Sequence, residues 1–165
     1  MTPQHPIDSV NWSAWTPTIR ATLLFVFRDG QVLLIRKKRG LGEGKINGPG
    51  GKLDPGETPV QAAVREVQEE VGVTALDPVD RGVLHFQFLD GLAMQVHVFT
   101  CVSSTGEPVE TDEALPLWVA PGDMPYDEMW ADDRHWLPEV LAGHNVELWA
   151  IFDGDAMLSH RLIRT

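Results

Sequence analysis

Apolar and polar positions follow two periods along this chain, and the switches between them divide it into elements. Thr22 to Phe27 and Val32 to Ile35 are short apolar runs of strand length, separated by Asp29-Gly30. This pattern predicts a hairpin, because Asp-Gly tolerates the positive φ of a tight two-residue turn. From Val60 the period lengthens. Val60, Ala63, Val64, Val67 and Val71 recur at helical spacing and predict a helix over 59–71 with one buried face. Thr58 and Gln61 form a capping box, Pro59 suits the first helical position, and Gly72 is placed to end the helix. Strand-like segments follow at about 82–89, 93–102 and 114–119, then a second helix at about 132–142, and strands at 146–153 and 156–163.

Two stretches break the periodicity. Residues 40 to 51 carry Gly40, Gly42, Gly44, Gly48, Gly50 and Gly51, so this loop must bend sharply or approach something closely. Residues 1–16, with Pro3, Pro6, Trp12 and Trp15, read as an irregular arm whose tryptophans dock on the body. Residues 17–165 form one domain. Hairpins, one long helix and one late helix imply an α/β or α+β sandwich in which helices cover a mixed sheet.

Composition narrows the function classes. A length of 165 residues suits one domain with a real core. No apolar run reaches membrane-span length, and the N-terminus does not read as a secretory signal. The single cysteine, Cys101, excludes an internal disulfide, reads as a small buried strand residue, and favours a cytoplasmic protein. A net charge of −11 argues against stable nucleic-acid binding. Yet six of the 13 basic residues cluster at Arg36, Lys37, Lys38, Arg39, Lys45 and Lys52. Beside acidic metal ligands, such a cluster suits a metal-polyphosphate complex; standing alone it is equally a solvated loop.

On the polar side of the 59–71 helix lie Arg65, Glu66, Glu69 and Glu70. Carboxylates three and four residues apart repel in an isolated helix, so a cation is needed to compensate them. Hard oxygen ligands on a rigid element are what Mg²⁺ requires. A solvated acidic face is the plain alternative. The flanking residues decide against it. Gly51, Glu57, Arg65, Glu66, Val67, Glu69, Glu70, Gly72 and Val73 fit G-x5-E-x7-R-E-U-x-E-E-x-G-U, U being aliphatic, at every fixed position. On these residues the chain resembles the Nudix hydrolases, which cleave a nucleoside diphosphate linked to another group.

The resemblance implies an αβα sandwich with a mixed sheet and a catalytic loop-helix-loop. It implies Glu66, Glu69 and Glu70 as metal ligands for Mg²⁺, with Mn²⁺ a substitute, joined by a backbone carbonyl at Gly50 or Gly51. Arg65 is implied to hold a neighbouring glutamate, and Glu57 to be structural. An oriented water attacks in line and pyrophosphate leaves. Glu70 is the preferred base, with Glu113 its competitor.

Lys37-Lys38-Arg39-Gly40, Asn47-Gly48, Gly50-Gly51-Lys52, Gln95 to Phe99, Glu110 to Glu113 and Met129 to Asp133 are similar to segments of the mammalian-type oxidised-purine nucleoside triphosphate diphosphatases. These sanitise the nucleotide pool by destroying 8-oxo-dGTP and 2-hydroxy-dATP. That similarity implies a base pocket with Trp130 as stacking surface and Asn47, Asp132 and Asp133 reading the base. Thr22 and Lys37 line it, Gly50, Gly51 and Lys52 contact substrate, and Glu113 adds a metal-associated carboxylate. Adjacent aspartates resist double ionisation, so one can donate while the other accepts. Asp132 also stands where a helix N-cap is expected. Phe86 and Phe88 read as core or pocket wall. The similar proteins carry aromatic residues where Leu41, Ile46 and Pro49 stand here, which implies a less aromatic wall. Other readings are a Nudix hydrolase for ADP-ribose, a dinucleoside polyphosphate, methylated dGTP or an RNA 5′ end, and a catalytically idle nucleotide-binding module. The protein is expected as a monomer or homodimer.

Overall fold

The computed structural model describes residues 5–165, so the first four residues of the expected arm, Pro3 included, lie outside it. Its strands and helices run in the order β1 (Ile19–Arg28), β2 (Gln31–Lys37), β3 (Ile46–Asn47), α1 (Pro59–Val71), β4 (Thr74–Leu76), β5 (Val79–Phe88), β6 (Ala93–Cys101), β7 (Ser103–Thr105), β8 (Ala114–Val119), α2 (Asp133–Leu141), β9 (Val146–Asp153) and β10 (Ala156–Arg164). β1 and β2 form the hairpin, with Asp29 at φ 53° and Gly30 at φ 76° in the turn and Phe27 paired with Val32. The principal sheet is mixed, in the order β10-β9-β5-β6-β1-β2-β3, with β8 added beside β2. β1 pairs β6 in parallel and β5 pairs β9 in parallel, while the other pairings are antiparallel.

Alternation along β1 assigns its two faces. Leu24 and Val26 join Leu33, Ile35, Phe99 and Cys101 in one cluster, closed by Ala63, Val67 and Val71 of α1. Phe25 faces the other way, into a cluster with Leu84, Leu148 and Phe152 closed by Trp136, Leu137 and Val140 of α2. Helices therefore cover both faces of the mixed sheet, as expected for an αβα sandwich. Cys101 is buried, and burial pushes its thiol pKa up. Among the described residues no helix is long and apolar enough to cross a membrane.

α1 begins and ends where the sequence predicts. Gln61 N donates to Thr58 Oγ1 at 3.3 Å, Thr58 N donates to Gln61 Oε1 at 3.0 Å, and Gly72 closes the helix at φ 77°. Val60, counted on the apolar face, lies instead in the first turn and is exposed. The tryptophans of the arm dock as expected. Trp15 donates to Gln87 Oε1 at 2.8 Å and meets His85 edge-on, with Trp12 packed against it. Short strands escaped prediction. β3 has two residues, and β4 and β7 have three each and pair only with one another. Such pieces lack a full period of their own, so only the partner strand defines them.

Candidate active site

Glu66 and Glu70 project from α1 toward Glu113, which precedes β8. The backbone of Glu113 is fixed by a hydrogen bond from Lys38 N at 3.0 Å, and Arg39 donates to its Oε1 at 3.1 Å. One oxygen from each of the three carboxylates lies within 4.8 Å of the others. Glu70 is buried. Gly50 N donates to its Oε1 at 3.4 Å, while Oε2 has no hydrogen-bond partner. Burial, and next the charge of Glu66, push the Glu70 pKa up to about 8. Burial likewise raises Glu66, against the opposing pull of Arg65. Glu66 and Glu113 each pair on one side with an arginine, but the buried Glu70 has no cationic partner within 4 Å among the described residues and keeps an orphaned oxygen. The hard oxygen donors of the three fit a divalent cation of the kind Nudix hydrolases use.

Glu69 stands apart from this trio. It is half exposed and its Oε2 accepts from Arg65 at 3.0 Å. Arg65 also makes a two-pronged contact with Glu57 at 2.7 and 2.8 Å, and donates to Glu66 Oε1 and the Lys52 carbonyl. The Arg65 fork thus ties α1 to the loop before it. It also holds the Glu57 carboxyl down at about 2, helped by the N–H of Asp54.

The two glycines at the start of the motif serve different neighbours. A Cβ at Gly50 would lie 1.8 Å from the Thr22 carbonyl oxygen, and one at Gly51 would lie 2.4 Å from the Glu66 carboxyl carbon. The Gly51 carbonyl accepts from Thr22 N at 2.9 Å and from Thr22 Oγ1 at 3.3 Å. Of the two carbonyls left open by the sequence, that of Gly51 is thus already engaged within the fold.

A cavity of about 420 Å³ extends from Glu70 across the inner sheet face. Thr22, Lys37, Asn47, Gly50, Gly51, Lys52, Trp130, Asp132 and Asp133 all line it. Phe86, Phe88 and Phe152 contribute aromatic wall, and the two expected from sequence prove to be core and lining at once. Of the three departures noted from sequence, only Leu41 is in the wall. Ile46 is core, and Pro49 is occupied as a backbone acceptor for Leu24 N.

Asp132 and Asp133 are both buried. Asp132 does precede α2, but its side chain makes no cap; its Oδ2 instead accepts from Trp136 Nε1 at 2.7 Å. Burial raises the pKa of both, and the neighbouring Asp132 charge drives Asp133 well above the usual carboxylate range. Of the pair, Asp133 is the more strongly driven toward its protonated form, while the Trp136 N–H favours the ionised form of Asp132.

The basic cluster divides. Arg36, Lys38, Arg39 and Lys45 pair with Glu128, Glu110, Glu113 and Asp155. Lys37 and Lys52 make no ion pair within 4 Å among the described residues and line the cavity near Glu70. The sequence could not separate these two from the other four, because their neighbours come from distant segments. Lys45, a member of the cluster, lies over the Trp130 ring at 5.2 Å, a placement that its sequence position does not indicate.

Comparison with known proteins agrees with this layout. Residues 17–140 match the family model described as NUDIX domain. The chain is 42% identical over 143 residues to an "Oxidized purine nucleoside triphosphate hydrolase" of Danio rerio, covering 86% of this chain and 92% of that protein. A Mus musculus protein of the same name is 36% identical over 147 residues, with the same coverage. Among solved structures, the crystal structure of a MutT protein from Bacillus halodurans superposes with a TM-score of 0.77 at 26% identity, covering 87% of this chain and 97% of that one.

Proposed function

From the premise that the chain belongs to the Nudix hydrolase family, we propose that it cleaves purine nucleoside triphosphates carrying an oxidised base, such as 8-oxo-dGTP or 2-hydroxy-dATP, to the monophosphate and pyrophosphate, with Mg²⁺ as cofactor. One observation carries this reading. A single cavity holds the buried Glu70 carboxylate and, in the same lining, an indole with two adjacent buried aspartates.

Mg²⁺, or Mn²⁺ in its place, would offset charge on the phosphate oxygens and favour the ionised carboxylates of Glu66, Glu70 and Glu113, with Glu69 in reserve beside Arg65. Lys37 and Lys52 bind the polyphosphate. Glu70 orients the attacking water and takes its proton as the α–β anhydride bond breaks; Glu113 is the competing base. Arg65 positions Glu66 and acts through it. Trp130 offers its face to the purine. Asp132 accepts from a ring or exocyclic N–H, Asp133 donates to a carbonyl or ring nitrogen, and Asn47 supplies both kinds of group. A purine whose edge has been altered by oxidation meets a donor and an acceptor side by side.

Pyrophosphate release, with Mg²⁺ and with EDTA, tests this across 8-oxo-dGTP, 2-hydroxy-dATP, O6-methyl-dGTP, dGTP, ADP-ribose and a dinucleoside tetraphosphate. The expected result is EDTA-sensitive activity led by an oxidised purine. Activity led by ADP-ribose or the tetraphosphate would keep the hydrolase chemistry and remove the role in sanitising the nucleotide pool.

A further inference from the structure

Lys45 sits at the end of the glycine-rich loop, immediately before β3, and has no part in the reaction outlined above. Its ammonium lies over the Trp130 ring, 5.2 Å from the centroid. It also lies 3.4 Å from Asp155 Oδ2 in the turn between β9 and β10, and the side chain is only 26% exposed. Trp130 lines the cavity whereas Lys45 does not. The indole therefore stands between the cavity and the ammonium.

The ring has little freedom to move. Phe88 and Phe152 meet it edge-on at 6.3 and 5.8 Å. Gly42 passes so close that a Cβ there would lie 2.9 Å from Trp130 Nε1. Lys45 thus brings a positive charge to the ring from outside the cavity lining, beside a carboxylate from a separate hairpin.

We propose that Lys45 is a specificity-determining residue: by drawing π density from the outer face of Trp130, it strengthens stacking of electron-rich oxidised purines on the inner face. The inference rests on the reading of the cavity as a purine site. An indole face is electronegative, which is why it attracts a cation, and two electron-rich faces oppose each other when stacked. A cation on one side lowers that opposition on the other. The added exocyclic oxygen makes the purine ring more electron-rich, so the oxidised base gains more from the cation than the unmodified base. Lys45 also opposes the rise in Asp133 proton affinity, which places its charge within electrostatic reach of the base-reading pair.

The test is metal-free binding of 8-oxo-dGMP and dGMP, measured by titration calorimetry on the full chain, with Lys45→Met and Lys45→Arg beside the wild type. Both ligands carry the same phosphate, so the ratio of their Kd values reports the base alone. The wild type should favour 8-oxo-dGMP. Lys45→Met should shrink that preference by roughly three- to tenfold, the size of a partly buried cation–π contact, and Lys45→Arg should retain it. An unchanged ratio in Lys45→Met, with the wild-type preference intact, overturns the role of Lys45 and leaves the purine site standing. Equal losses in the Met and Arg variants show a packing role and overturn it too. A wild type with no preference overturns the purine-site reading and this inference together.

Discussion

Trp136 donates its indole N–H to Asp132 Oδ2 at 2.7 Å, one helical turn away and fully inside the protein. This bond opposes the rise that burial causes in the Asp132 pKa. A donor aimed at Asp132 favours its ionised form, while burial and the charge beside it drive Asp133 further up.

Trp136→Phe removes the donor and keeps most of the apolar volume. A buried acceptor then loses its partner, which costs about 1–3 kcal/mol of stability. Urea unfolding should show the loss as a lower midpoint with an unchanged slope. Discrimination between oxidised and unmodified dGTP should narrow in the same variant. A wild-type midpoint would mean that the bond does not hold Asp132 in its buried place.

The protonation of Asp133 has its own signature in the dependence of stability on pH. Its folded pKa is raised well above 3.8 by burial and by Asp132. Between those two values the folded chain binds more protons than the unfolded one, so stability contributed by the group is present below pH 3.8 and falls as pH rises toward the folded value. Asp133→Asn cannot ionise and retains a donor. Subtracting its stability curve from that of the wild type should leave a difference that grows with pH above about 4 in favour of the variant. A flat difference would contradict a protonated Asp133.

The adjacent glycines should fail in different ways. Gly50→Ala drives a Cβ against the Thr22 backbone, where nothing flexible can yield. It should destabilise the fold by about 1–3 kcal/mol or more, read from thermal unfolding. Gly51→Ala meets the Glu66 carboxylate, a side chain that can move at the expense of the site. Its folded stability should stay closer to wild type while Mn²⁺ affinity, followed by paramagnetic titration, drops roughly 10–100-fold.

Glu70→Gln keeps the shape of the buried side chain and removes its basicity. Hydrolysis should fall by about 10²- to 10⁴-fold, as expected for loss of a positioned general base. Binding of 8-oxo-dGMP should change little, since the base pocket is formed by other residues. Turnover near wild type would move the base assignment to Glu113, for which Glu113→Gln is the matching variant.

Much of this was legible in the linear sequence because it depends on neighbours a few residues away. The capping box at Thr58 and Gln61, the left-handed stop at Gly72 and the Asp29-Gly30 turn are local chemistry. The spacing of Glu66, Glu69 and Glu70 likewise fixed a shared helix side. Helical spacing does not say how side chains divide that side, and tertiary packing made the division. Arg65, pinned by Glu57, draws Glu69 outward, while Glu113 arrives from the approach to β8, more than forty residues downstream, to take the third place in the trio. Chain folding likewise sorted the six clustered cations into four with partners and two lining the cavity, and turned the Asp132 carboxylate from a helix cap into the acceptor of Trp136. The sequence by itself determined the elements and the residue types available for chemistry. Which carboxylates converge, which aspartate is driven further toward its protonated form and which lysine lies over the Trp130 ring were decided only by the tertiary structure, because burial and charge pairing arise between segments far apart in the chain.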